Sequence, residues 1–264
     1  AFSEFILLSH LDSTITNRLY RLGGIDLKGA IEKTNENTTL KGNIDTECGE
    51  IDIHIASAPN KIISGELKTN KFNIGQLLDS EKLGYTSFYI KGTGIEEINT
   101  NSNESIIGNI EGKINDFEYS GYKYTGIGIN AFSDIDGIGG EVIVNDENLE
   151  LNLSGRVDTK TNVKNCDLSL VINEFRPHSL NLTSDYIGDN FSLNATANIS
   201  GSSISNIEGE LNLDSMIVSN GDIITSPEYL QIQLENNGLK SKNINIDGNI
   251  ICAKIKGDID YKTL

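Results

Sequence analysis

Along most of the chain, apolar and polar residues alternate with a period of two. Aliphatic side chains recur at every second position: Ile25, Leu27 and Ile31, then Ile44, then Ile51, Ile53 and Ile55, then Leu67. The pattern resumes at Ile110 and Ile114 and continues through Leu149, Leu151 and Leu153, then Leu168 and Leu170, then Leu193. It runs on through Leu211 and Leu213 to Ile246 and Ile250. The positions between them are mostly Asp, Glu, Lys, Asn, Ser and Thr. Because successive side chains of a strand point to opposite faces, this predicts many strands with one apolar and one polar face, the pattern of an antiparallel sheet wet on one side.

Glycine has a regular place in the pattern. Gly29, Gly42, Gly65, Gly112, Gly155, Gly209 and Gly248 fall on the apolar side, each followed two residues later by Ile, Leu or Val. A strand glycine marks a bulge, a bend or a close backbone approach. Glycines repeated on one face predict a sheet that curls toward that face and leaves room on it.

Two segments leave the period of two. Leu8, Leu11, Ile15, Leu19 and Leu22 have helical spacing, with Asp12 or Ser13 placed to cap the start and Gly23 the stop. Asn73 precedes Ile-Gly-Gln-Leu-Leu and predicts a capped helix of one or two turns. A third short helix is predicted over Asn173–His178, ended by Pro177. Polar connectors at Thr34–Thr38, Asn99–Glu104, Asn145–Asn148 and Asn236–Gly238 read as hairpin loops. The fold class is therefore all-β: a long, curled, mostly antiparallel sheet forming a trough, with two or three short amphipathic helices. Residues 1–264 read as a single extended β-domain.

Composition narrows the function. The 264 residues carry a net charge of −17, which disfavours phosphate recognition and docking on anionic lipid. Tryptophan is absent and aromatics make up 6%, so the apolar face is largely aliphatic. Cys48, Cys166 and Cys252 lie far apart without metal-binding spacing and read as small buried hydrophobes. His10, His54 and His178 sit in unrelated contexts, and no nucleophile elbow, phosphate loop or dinucleotide fingerprint occurs. Asp134-Ile-Asp136-Gly-Ile-Gly-Gly-Glu141 has a faint likeness to a calcium loop but reads better as a glycine-rich hairpin turn. Phe117, Tyr119, Tyr122 and Tyr124 form the densest aromatic cluster and predict cross-strand packing around Gly121. The expectation is a non-catalytic protein without a cofactor or metal.

Ser64-Gly-Glu-Leu-Lys-Thr-Asn-Lys-Phe-Asn-Ile-Gly-Gln-Leu-Leu78 and Gly112-Lys-Ile-Asn-Asp-Phe-Glu-Tyr-Ser-Gly-Tyr-Lys-Tyr124 resemble segments of the AsmA-like family, in particular its TamB branch of the Bacteroidota type. Asp146–Gly155 resembles a further hairpin of that kind. The resemblance covers most of the chain diffusely and rests on the order of the motifs. It implies a β-taco whose apolar trough binds and conducts phospholipid acyl chains across the periplasm, or assists assembly of outer-membrane proteins. The aliphatic and glycine positions above would line that groove. The chain would be an internal segment of a protein anchored in the inner membrane, with an outer-membrane barrel of the Omp85 type as partner. Membrane contact would then fall to parts outside the segment. The competing expectation is a cell-surface or periplasmic β-solenoid or β-sandwich with a binding or structural role.

Overall fold

The computed structural model describes residues 13–35, 37–58, 61–98, 104–185, 189–220, 223–236 and 241–258. They fall into two compact units, Ala1–Gly128 and Ile129–Leu264.

The first unit opens with helix α1 (Ser13–Arg21). Strands β1 (Ile25–Lys33), β2 (Thr38–Thr46), β3 (Gly49–Ser57) and β4 (Ile62–Asn73) follow. Helix α2 (Ile74–Leu78) separates β4 from β5 (Leu83–Ile98), and β6 (Glu104–Tyr119) comes next. Each strand pairs antiparallel with its neighbour in sequence. Short connectors dictate this, since only antiparallel neighbours can be joined by tight turns. Strand β7 (Tyr122–Ser133) spans the division between the units.

The second unit contains β8 (Gly137–Asp146), β9 (Leu149–Asp158), β10 (Lys164–Phe175), β11 (Asn190–Gly201) and β12 (Glu208–Asn220). It ends with β13 (Ile223–Thr225), β14 (Tyr229–Asn236), β15 (Lys242–Gly248) and β16 (Ala253–Gly257). The sheet order follows the chain, except that β14 takes the place beside β12 and the short β13 pairs with the far end of β12. β1 and β16 each have a single neighbour in that order. The fold is thus all-β and antiparallel, with two short α-helices among the described residues.

The helices show what their sequences specify and where local signals fail. Of the first predicted helix, Ser13–Arg21 is helical, while Leu8–Asp12 lie outside the described residues. Gly23 takes the left-handed conformation (φ +69°) that ends it, and its N–H donates to Tyr20 O at 3.1 Å. The side chain of Asn73 accepts from Gln76 N at 2.9 Å and caps α2. The third predicted helix does not form. Asn173–Phe175 complete β10 instead, because Phe175 sits opposite both Leu149 and Phe191 in the ladder. The residue preceding Pro177 is also biased away from helix. The chain instead turns there, with Leu180 N donating to Arg176 O at 3.1 Å. A 3-10 turn at Ile204–Asn206 was not predicted; the Asn206 side chain holds it by accepting from Ser203 N at 2.7 Å.

Of the predicted loops, Asn145–Asn148 spans the two-residue turn Glu147-Asn148 between β8 and β9. The 34–38 connector joins β1 and β2, and Thr34 N donates to Asn37 O across it at 2.8 Å. Residues 99–103 and 237–238 of the other two lie outside the described residues.

Candidate functional site

The register stacks the predicted apolar positions into rows that cross the strands. In the first unit one row reads Leu27, Ile44, Ile51, Thr69, Phe88, Ile114 from β1 to β6. The next reads Gly29, Gly42, Ile53, Leu67, Ile90, Gly112, and the third Ile31, Leu40, Ile55, Gly65, Gly92, Ile110. Ile25 lies on the same face, opposite Thr46. In the second unit a row reads Val142, Leu153, Leu170, Ala195, Leu213, Leu230, Gly248. Its neighbour reads Gly140, Gly155, Leu168, Ala197, Leu211, Ile232, Ile246. Leu149, Leu151 and Leu193 extend the face through Phe175 and Ile172, and Gly209 through Ile199 and Leu234. Ile250 is a correction: it lies in the turn after β15, not on a strand, so it does not share this face.

These rows are not a sealed core. None of the aliphatic positions assigned from sequence is buried; each is half-buried or exposed. Ile31 is 73% exposed, Leu27 55%, Ile110 51% and Leu153 39%. The buried apolar residues among those described are Cys48, Phe72, Tyr124, Val144, Leu180 and Ile244. Sheets in compact domains cover such a face with a second layer. Here most row members are half-buried, and Leu27, Ile31, Ile55, Leu67, Ile110, Leu153 and Leu168 are exposed; exposed apolar surface gathered on one face marks an interaction site.

Glycines serve the face in more than one way. A Cβ on Gly29 would lie 2.5 Å from Lys41 O, so the β1 and β2 backbones close up where Gly29 opposes Gly42. Gly209 has φ +139° and abuts Asn198 O, a position closed to any side chain. Gly65 is different: the nearest atom to an added Cβ is 3.9 Å away, so it leaves space on the face.

Val144 and Ile244 lie within strands on the aliphatic face, opposite Leu151 and Leu234, whereas other buried residues gather where strands end. Cys48, in the turn between β2 and β3, accepts through its carbonyl from Asn73 N at 2.7 Å, and its thiol donates to Arg21 O at 3.4 Å. Burial, then the carboxylate of Glu47, pushes that thiol's pKa up, so it is a packing group rather than a nucleophile. Gln76 of α2 also reaches Arg21 O, at 3.4 Å, and Arg21 pairs with Asp79 at 2.6 Å. The second unit repeats the device: Arg176 N donates to Asn148 O at 3.0 Å, and the turn that follows buries Leu180 completely. In both places an aromatic strand residue, Phe72 or Phe175, precedes the donor and a leucine follows five positions after the aromatic. Sequence reading missed this recurrence, although the Phe-x4-Leu spacing carried it. Of the cysteines, only Cys48 is buried; Cys166 is half-buried and Cys252 exposed, and all three are free thiols.

The polar face carries two shallow depressions. One, of about 190 Å³, lies over β3–β6 between His54, Glu66, Lys91, Thr93, Asn109 and Glu111. Lys91 and Glu111 are paired across it at 2.7 Å. The other, of about 650 Å³, lies over β11–β14 and is lined mainly by Asn198, Ser200, Glu208, Glu210, Glu235 and Asn236. Among the described residues, no group of three or more His, Cys, Asp or Glu is placed to hold a metal ion.

The acidic turn at Asp134 resolves as structure. The Asp134 carboxylate accepts from Arg156 at 2.8 and 3.0 Å and from Asp136 N and Gly137 N at 2.9 Å. Arg156, followed by those backbone donors, lowers the Asp134 pKa to about 2. Its oxygens are engaged in holding the β7–β8 hairpin. In the aromatic cluster Phe117 of β6 packs across strands 6.4 Å from Tyr124 of β7, and Tyr122 and Tyr124 meet edge to face along β7 at 4.8 Å. Ser120 and Gly121 both have positive φ, so the hairpin closes in a tight two-residue turn.

Each unit is therefore an antiparallel sheet with one aliphatic face whose rows are half-buried to exposed. Comparison with protein-family models, with curated proteins and with solved structures finds no match to this chain.

Proposed function

We propose that the aliphatic faces hold phospholipid acyl chains, without catalysing a reaction. The observation that carries the reading is the set of apolar rows, continuous over β1–β6 and over β8–β15, whose side chains stay half-buried or exposed. An occupant of matching chemistry has no charges to satisfy there. Burying an acyl chain of about 16 methylenes, at about 0.8 kcal/mol each, returns on the order of 10 kcal/mol before ordering costs. The hydrophobic effect is non-directional. Rows built from near-identical Ile and Leu side chains therefore attract a chain almost equally at successive positions, which suits passage as well as storage.

The resemblance to AsmA-like proteins supports the same reading. It places the activity in the periplasm, in a protein anchored in the inner membrane, as lipid transport or outer-membrane protein assembly with an Omp85-type barrel. The test is site-specific photocrosslinking. A photoreactive group at Ile53 or Leu151 should give phospholipid adducts, while the same group at Asp52 or Asn152 on the opposite face should give few. Equal labelling of the two faces would defeat the proposal.

A further inference from the structure

At one strand end of the second unit the two-faced pattern breaks down. β12 finishes there, β13 folds back onto it, β14 begins and β15 ends, as the pairs Asn220–Ile223, Asp214–Tyr229 and Leu230–Gly248 show. Ile223 and Ile224 are adjacent in β13, 68% and 70% exposed. Ile250 and Ile251 form the turn beyond β15, 67% and 52% exposed. Ile217 near the end of β12 and Tyr229 at the start of β14 are also exposed.

Adjacent strand residues point to opposite faces. Ile223 and Ile224 therefore present isoleucine on both sides of the sheet, and so do Ile217 and Val218 at the end of β12. A folded partner laid on one face would cover only half of these side chains. A medium that surrounds the strand end covers them all. Of the charged groups in the strands and turns here, Asp214, Glu228 and Asp247 are acidic and Lys254 is basic, a net negative set. The Ile251 backbone also lies beside Gly248, at the edge of the apolar row that includes Leu230.

We propose that this strand end dips into the interface of a zwitterionic lipid bilayer, with the two isoleucine pairs as the inserted groups. It would give acyl chains a way between a bilayer and the aliphatic face, and for that purpose it rests on the acyl-chain reading above. It also assigns a membrane contact to this segment itself, where the sequence placed such contacts elsewhere. Shallow insertion of side chains suffices, because the free edge of β13 cannot leave its backbone groups unpaired in hydrocarbon. The acidic neighbours make anionic lipid the poorer surface.

The test is co-sedimentation of the full chain with phosphatidylcholine vesicles. Replacing the four residues by serine (I223S, I224S, I250S, I251S) should lower the vesicle-bound partition coefficient by about tenfold or more, given the transfer cost of several buried methylenes. Far-UV circular dichroism should stay unchanged, since all four side chains are exposed. Adding anionic lipid should weaken binding of the unaltered chain. The proposal is overturned if the unaltered chain does not sediment with phosphatidylcholine, if the fourfold variant binds equally well, or if only anionic vesicles bind. Failure of the acyl-chain reading is separable: it shows as equal crosslinking at Ile53 and Asp52 while vesicle binding persists.

Discussion

Truncating a leucine on the aliphatic face and one in a sealed site of the same unit distinguishes an open surface from a core. Leu180 has no exposed surface, whereas Leu153 in β9 is 39% exposed. Leu180→Ala removes buried carbons and leaves a cavity, so about 2–5 kcal/mol of stability should be lost. Leu153→Ala removes the same carbons, worth about 2.4 kcal/mol when fully buried at about 0.8 kcal/mol each. With about three-fifths of the side chain covered, that falls to about 1.5 kcal/mol, and no closed cavity adds to it. Urea unfolding followed by far-UV circular dichroism gives both values from the shift in midpoint at constant slope. Both substitutions lie in the second unit, so the same transition should move in each case, by clearly less for Leu153→Ala. If Leu153→Ala costs about 3 kcal/mol or more and matches Leu180→Ala, the face is a closed interior. The acyl-chain reading would then lose its physical basis.

The Asp134–Arg156 pair gives a pH-dependent contribution. The folded pKa of Asp134 is lowered to about 2, below the unfolded value of about 3.9. Its contribution to the β7–β8 hairpin should therefore be complete above about pH 4 and be lost as pH falls through about 2. A carboxyl NMR titration of Asp134 reads the pKa directly; Arg156→Ala, which removes the guanidinium that lies on both carboxylate oxygens, should raise it. Glycines on the same face should differ in tolerance. Gly209→Ala places a methyl group against Asn198 O at φ +139° and should cost more than 1 kcal/mol, roughly the overpacking range. Gly65→Ala meets nothing closer than 3.9 Å and should be neutral or stabilising by about 0.5 kcal/mol. Paired thermal melts check both.

The faces of the strands were legible because the side-chain period of a strand is local: Leu27, Ile44 and Ile51 declare their side without reference to partners. The same holds for the cap at Asn73 and the stop at Gly23, whose hydrogen bonds reach only three residues away. Asn173–His178 misled because Phe175 is claimed by Leu149 and Phe191, partners 26 and 16 positions distant. The run at Asp134 read as a turn from its glycines, but that its carboxylate holds Arg156, 22 residues on, could not be read locally. The Leu180 site likewise exists only where the turn after β10 folds over a strand end. Whether the aliphatic rows were covered could not be read at all. An alternating strand has the same sequence whether its apolar side meets a second sheet, a lipid or water, because exposure belongs to what lies opposite. The sequence by itself determined which side of each strand is apolar; the tertiary structure decided how far that side is covered, since among the described residues the aliphatic positions read from sequence stay half-buried or exposed while Val144 and Ile244 on the same face are buried.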